Sequence, residues 1–591
     1  ILLKDFVKFI RSITFKTELL ILETIIKDGY IILDLNFNLD QNGKIKNDYE
    51  VKGILNDSKI KFLKNIDFKN INFLFNIKEN KYLFKDIKFS TDGANFNSDT
   101  LKITKLNNNH QIEGKIENSK SILPRALLKL FNLNLKNLYF EKTKFSSKSN
   151  FIFEIDKSFK VKNLKLASQI NFNQMIYKNE GYYLEYFPDL KKKLSLDNHN
   201  LELKYEKNTL LVNGKGKVKV ADSSDQIEYF ITKRDDDFEF ETNLNIKKTS
   251  IKNHKLLKKN FPQTKDLIDL KNHKLNIKFK DKKLYVSGAG SIRLEKDFDN
   301  IQYLVIKNED KYRFETDLNL NKLSLKNQEI IKKNFPLTKD LIDLKNHKLN
   351  LKYIDKKLYL NGEGDIRFEN NFDSIKYSLL KNNDKFNLTS EIDFKNVSLK
   401  NKKNLKKFFP STKDLLSLKN HKVKINYKDN FLTFSGRGQI KIDEEFNKID
   451  YFISRETDEL NFDINFDLKN TDFKIENINY KKNNNFLTKL NISGSFLAIE
   501  EFFLNNISIR DQKNKIKITN LVLDKNNLLI RLDEADFDYV DTENKQNKFA
   551  IKRQENNNYK LNGLFFNANN IITNLLNIDE NKKNQFLKND I

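Results

Sequence analysis

Four of the six histidines in this chain stand 74 residues apart, at His199, His273, His347 and His421. Histidine at fixed spacing first raises metal binding or proton transfer. The spacing itself decides against a shared metal. Equivalent positions four or five strands apart in a sheet are separated by roughly 19–24 Å, whereas ligands must lie about 2 Å from one centre. No second His or Cys accompanies each histidine within its repeat, apart from His254. They therefore read as structural residues at a helix-to-strand corner. Carboxylate clusters such as Asp235-Asp236-Asp237 and Glu444-Glu445 fall at expected turns and read as solvated loop charges. Nothing resembles a nucleophile elbow, a phosphate loop or a zinc-binding helix, so no catalytic residue, metal ligand or cofactor is expected.

The same step recurs in Pro188, Pro262, Pro336 and Pro410, and in the pairs Gly214/Gly216, Gly288/Gly290, Gly362/Gly364 and Gly436/Gly438. A period without insertion or deletion marks a tandem-repeat architecture, which works through an extended surface. The repeats run 187–260, 261–334, 335–408 and 409–482, preceded by a helical segment (1–28) and a β-meander (29–186). A further β region with a terminal helix over Asn567–Leu576 occupies 483–591.

Within one repeat the periodicity is two. Leu275, Ile277 and Phe279 share one parity, then Leu284, Val286, Gly288, Gly290, Ile292 and Leu294. Ile301, Tyr303 and Val305 follow, and then Phe314, Leu318 and Leu320 before a one-residue phase slip to Leu323 and Leu325. This patterning predicts four half-buried antiparallel strands, or five if the last breaks, with a bulge at the slip. Thr264 reads as the N-cap of a short helix reaching toward His273, and Gln328–Asn334 as another. The next copies carry Leu349, Leu351, Tyr353, Leu358, Leu360 and Ile366, then Phe386, Leu388, Ile392 and Phe394. Phe462, Ile464 and Phe466 continue in the fourth, where Phe473 and Ile475 would repeat the slip. Asn42-Gly43 is the strongest hairpin signal of the meander.

These side chains form a continuous apolar face that the short helices are too small to cover. Either the sheet curls on itself or the face lines a groove for an apolar ligand; an exposed stripe of that length would exceed what monomers leave bare. The inward glycines serve curvature in one reading and space for an acyl chain in the other. The expected fold class is mainly β: a long, highly twisted antiparallel sheet curled into an elongated groove, built from tandem repeats with short crossover helices. At about 15 residues per strand the chain holds roughly 35–40 strands, a body of order 170–190 Å.

Composition narrows the partners. The net charge is +26, but only 11 of the 107 basic residues are arginine. Lysine is spread among Asp, Glu and Asn, which describes a solvated exterior rather than a nucleic-acid surface. There is no cysteine, so disulfides and thiolate metal sites are excluded. The chain opens at Ile1 and its single methionine is Met175, which reads as a fragment or processed product. The apolar run Leu19–Ile26 is short and broken by Glu23, so no membrane span is expected.

The alternating meander, the recurrent strands DLNLNKLSLK and EIDFKNVSLK with their slip, LYVSGAGSI and LTFSGRGQI, and the opening GYIILDLNFNLDQNGKIKNDYEVKG resemble the AsmA-like proteins of diderm bacteria. The resemblance covers most of 29–570 as a style of sequence. It implies a periplasmic β-groove tethered to the inner membrane by a segment outside this chain, and phospholipid moving between inner and outer membrane. Envelope proteins would be partners. The leading expectation is thus a non-enzymatic conduit for phospholipid or another acyl lipid, without nucleic acid. Two alternatives are a structural or adhesive rod with a dry core, and an assembly factor offering sheet edges to outer-membrane barrels.

Overall fold

The structure is a computed structural model describing residues 1–569 apart from 14–16, 44, 47, 64–65, 108, 124–137, 140–142, 159, 384, 402, 498–500, 525–528 and 556–557. The helix expected over Asn567–Leu576 falls almost wholly outside the described residues. By contact density the chain divides into two compact units. One comprises Ile1–Lys252, Leu267–Ile292 and Gln302–Tyr312; the other comprises Asn253–Asp266, Arg293–Ile301 and Arg313–Ile591.

Among the described residues the fold is mainly β and antiparallel, with a sheet of 31 strands that does not close into a barrel. Helices at Leu3–Ile13 and Thr17–Ile25 precede the first strand, Ile26–Asn36. Leu3 and Val7 pack there against Ile31, Leu55, Ile71 and Phe75. Gly43 adopts φ +77° in the turn that leads to the second strand, Glu50–Leu63.

Each repeat contributes four strands. In the second copy these are Leu267–Lys280, Lys283–Arg293, Asp299–Asn308 and Lys311–Lys326, followed by the helix Glu329–Asn334. Within each copy the tight hairpins fall at one margin. Asp281 and Lys282 both take positive φ (50° and 60°), as do Asp355 and Lys356 (49° and 64°). Two consecutive left-handed residues are what a two-residue type I′ turn requires to match strand twist. The longer connections, including the helices, fall at the opposite margin.

That opposite margin holds the core. In the second compact unit Ile342, Ile366, Phe368, Phe394, Val397, Phe409 and Leu416 are buried together, with Phe335, Ile331 and Leu325 packed against them. The crossover turn is held by its own polar residues. Thr338 Oγ1 donates to the Phe335 carbonyl (2.8 Å), and Asn327 Nδ2 donates to Thr338 Oγ1 (2.9 Å) and to the Lys339 carbonyl (2.8 Å).

Two sequence expectations are corrected. The segment after Thr264 is strand, not helix: Ile268 pairs with Ile251 and Leu270 with Thr249. Thr264 caps no helix; it is buried, and its Oγ1 donates to the Phe261 carbonyl at 2.7 Å. The helix instead precedes the turn, at Lys255–Asn260, with His254 Nδ1 accepting from the Leu256 N–H. The helical look came from a phase change at Asn272, whose φ of 52° shifts the two-residue period by one. The fourth copy's slip is a strand end. Glu459–Leu468 stops there, and Phe473 and Ile475 belong to a separate turn region with a small two-stranded sheet.

Where the slip does occur, the fourth strand runs through it, so each copy gives the long sheet four strands, not five. Leu320 pairs with His347 and Leu323 with Leu344 in one unbroken register. Both strands change phase at the same place. The N–H freed on the fourth strand is caught by a buried side chain of the third. Asn321 N–H donates to Asp299 Oδ1 (2.7 Å) and Lys395 N–H to Asp373 Oδ1 (2.8 Å). Lys247 and Lys469 make the same bond to Asp225 and Asn447 (both 2.9 Å). Burial pushes the carboxyls of Asp299 and Asp373 upward against the lowering effect of the bond each accepts. A second N–H beyond the slip goes to Glu295 from Ser324 and to Glu369 from Ser398 (2.7 Å each).

Candidate functional site

The apolar face is graded along the strands. At the crossover margin Ile292, Leu294, Leu320, Ile366 and Phe394 are buried. Toward the hairpins Leu275, Ile277, Phe279, Leu284, Val286, Tyr303, Phe314 and Leu318 are half-buried. So are Leu349, Leu351, Leu358, Leu360, Leu388, Ile392, Phe462, Ile464 and Phe466. At the hairpin margin Tyr353 and Phe386 are exposed, with Phe238 and Tyr312 beside them in sequence pattern.

Strand register brings these side chains into rows within each compact unit. In one unit Leu244 faces Leu275 and Phe240 faces Phe279. In the other, Leu351 faces Leu360, Leu360 faces Leu379, and Leu379 faces Leu388. Within each unit the face is therefore a contiguous surface, half open to solvent toward the hairpins.

Its floor carries the histidines. Between Lys345 and Lys348 the register against the second strand shifts by one, so Asn346 and His347 together oppose Gly364. Asn346 takes φ 49°, a left-handed value that asparagine tolerates better than most residues. A Cβ on Gly364 would lie 2.6 Å from His347 Nδ1 and 2.7 Å from His347 Cα. The partner glycine, Gly362, lies beneath the ring of Tyr377. The glycines thus leave no open space for a ligand: Gly288 is covered by Tyr303 and Gly290 by His273.

Each histidine also contacts its tyrosine. His347 Nε2 lies 3.0 Å from Tyr377 Oη and His421 Nε2 lies 3.1 Å from Tyr451 Oη. In the first copy His199 Nε2 donates to the Lys217 carbonyl (3.0 Å), so Nδ1 accepts from the Tyr229 hydroxyl (3.2 Å). His273 does likewise with Ser291 and Tyr303. Burial holds all four imidazoles below the usual histidine range. It pushes the hydroxyls of Tyr229, Tyr303 and Tyr451 up to about 12. Neutral imidazole and neutral phenol are the forms this hydrogen bond needs.

Parity reading missed a row at the hairpin margin. The inward series Ile301, Tyr303, Val305 ends on Lys307, and its equivalents are Lys233, Lys381 and Arg455. The rim positions are Tyr205, Phe279, Tyr353 and Tyr427 on the first strands, Leu210, Leu284, Leu358 and Leu432 on the second, and Phe238, Tyr312, Phe386 and Leu460 on the fourth. Lys381 pairs directly with Leu358 and Phe386, and Lys233 with Leu210 and Phe238. The 74-residue step was the available signal; it was obscured by the abundance of lysine.

No protein-family model matches this chain, and no curated protein sequence matches it.

Proposed function

We propose that the chain is a non-enzymatic lipid conduit, whose apolar face takes up the acyl chains of phospholipid and passes them across the periplasm between inner and outer membrane. The observation that carries this reading is the grading of the face: sealed and densely packed at the crossover margin, half-buried through the middle, open at the hairpins. A dry structural core would have no reason to leave Phe386, Tyr353 and Tyr312 exposed on the same face whose other end is buried. Each CH₂ taken from water contributes about 0.8 kcal/mol, so a single acyl chain supplies ample affinity. A face repeated every 74 residues offers near-identical sites, which keeps movement between them free of deep traps. The envelope setting is supported by the resemblance of the strands to AsmA-like proteins.

The test is to purify the chain in mild detergent and analyse extracted lipid by mass spectrometry. Several phospholipids per chain are expected. None, together with a face that photo-crosslinking lipid probes fail to label, would sink the conduit and favour a structural rod. Val286→Asp and Leu360→Asp, on half-buried positions, should block transfer of fluorescent phospholipid between vesicles with little loss of β-content. Undiminished transfer in both would exclude this face as the route.

A further inference from the structure

We infer that each 74-residue copy carries one subsite for the anionic headgroup of the bound amphiphile, built from the inward cation of its third strand at a rim rich in aromatic side chains. The inference rests on the lipid reading of the apolar face. It adds a headgroup class, an orientation and a count.

The placement of the cations is what requires explanation. Charge on a half-buried strand belongs on the solvated face. Yet Lys233, Lys307, Lys381 and Arg455 occupy the apolar parity, at the last turns before the hairpins, in four copies of four. Several lysines on the outer face have carboxylate partners across the strands. Lys280 lies 3.0 Å from Glu239, Lys278 3.4 Å from Glu241 and Lys424 3.3 Å from Glu391. Among the described residues Lys233, Lys307 and Lys381 form no ion pair, even with the hairpin acids Asp235, Asp236, Glu309 and Asp310 nearby in sequence. Arg455 uses Nε on the Thr457 carbonyl (3.3 Å). Lys307 Nζ stands 5.6 Å from the Tyr312 ring centroid.

Side-chain type changes with depth in the way a lipid boundary would select. Of the rim positions on the first and fourth strands, seven of eight are aromatic, the class enriched where apolar meets wet, while the second-strand position next to the cation is leucine (Leu210, Leu284, Leu358, Leu432). Two residues deeper on the first strands stand Leu203, Ile277, Leu351 and Ile425, all aliphatic. From Tyr353 to His347 is six residues, about 20 Å at strand rise, and one leaflet's hydrocarbon is half of about 30 Å. A tail anchored at the rim and lying along the strand thus ends near the histidine–tyrosine floor. Cations in adjacent copies are four strands apart, about 19 Å along the sheet, which sets one charged subsite per copy. A phosphate there would take charge-assisted hydrogen bonds from the cation.

The experiment uses the full chain exposed to vesicles of phosphatidylglycerol or of phosphatidylcholine, with bound lipid counted after re-purification. Lys233→Gln, Lys307→Gln, Lys381→Gln and Arg455→Gln combined should weaken phosphatidylglycerol retention about tenfold or more, the effect of losing a charge-assisted hydrogen bond. Phosphatidylcholine should be retained far better. The control set Lys278→Gln, Lys280→Gln, Lys352→Gln and Lys424→Gln, on the outer face, should change neither. Equal loss of both lipids, loss of neither, or equal loss in the control set would overturn the subsite while leaving the conduit standing. An unmodified chain that binds neither lipid would overturn the conduit itself and the subsite with it. Orientation is read separately, since the chain has no Trp. With Tyr353→Trp at the rim and Leu349→Trp deeper on the same strand, lipid brominated near the ester should quench the first more. Lipid brominated near the terminal methyl should quench the second more. The same order is expected for Phe314→Trp and Leu318→Trp on the paired strand; indifference to bromine depth, or its reversal, in both pairs would overturn the orientation.

Discussion

The two ends of every strand in the array are made of similar residues placed in opposite surroundings. At the crossover margin Ile342 is 2% exposed and Val397 0%; at the hairpin margin Phe386 is 41% exposed and Tyr312 51%. The sealed margin concentrates packing, buried carboxylates and the polar clasps of the crossover turn. The open margin has tight turns, which hold register without needing a core. The difference teaches that packing is concentrated at one end of each strand, which leaves the apolar side chains at the other end free to vary at little cost to stability.

The sharpest way to break that comparison is to truncate one side chain at each margin. Ile342→Ala should cost about 2–5 kcal/mol, the usual range for emptying a packed aliphatic site. Phe386→Ala loses mainly its stack on Tyr427, with centroids 4.5 Å apart, worth about 0.5–1.5 kcal/mol. Hydrogen exchange over Leu341–Lys400 reads both locally, which matters where a repeat array need not unfold as one unit. Equal costs would dissolve the distinction.

A smaller effect probes the floor between the margins. Gly362→Ala forces a Cβ into the Tyr377 ring and should cost about 1–3 kcal/mol as overpacking. In a Tyr377→Ala background most of that cost should vanish, a coupling of roughly 0.5–3 kcal/mol. Strict additivity of the two substitutions would mean the ring does not occupy that place.

The smallest effect per residue is the response to pH. Burial lowers the folded pKa of His199, His273, His347 and His421 beneath the unfolded value of about 6.5. The unfolded chain then binds more protons below that pH. Stability is full above about pH 6.5 and falls as pH drops below it, by up to roughly 1.4 kcal/mol per pH unit per histidine. Asp299 and Asp373 act with the opposite sign. Their folded pKa is raised, so the cost of keeping them charged is relieved as pH falls toward the carboxylate range. A thermal-melt series across these windows should fall first and then flatten, and His347→Gln should remove one histidine's share of the first slope. A profile flat from neutrality through pH 5 would contradict the neutral histidine–tyrosine pairs.

Much of the architecture was legible because period-two patterning is a local signal. Leu349, Leu351, Leu358 and Leu360 could be assigned to one face from sequence, and register then placed Leu351 opposite Leu360. What escaped depended on partners across the sheet. The left-handed Asn272 displaced the alternation by one residue and made the start of a strand look helical. The purpose of Gly362 and Gly364 required knowing that Tyr377 and His347 lie over them. Asp299 and Asp373 carried the 74-residue step openly, yet nothing in sequence shows that an N–H two strands' length away needs an acceptor. The rim cations were lost among 107 basic residues until their face was known.

Four strands per copy is an even number, and this has a consequence for how such a chain can change. A strand entering a copy at the crossover margin is followed, four strands on, by another entering at the same margin in the same direction. Unequal recombination between two copies therefore adds or removes a block whose ends are already compatible with their neighbours. An odd count would reverse polarity and exchange the sealed and open edges downstream of every event. Span can thus be altered in whole steps by a single genetic accident, with no compensating mutation elsewhere.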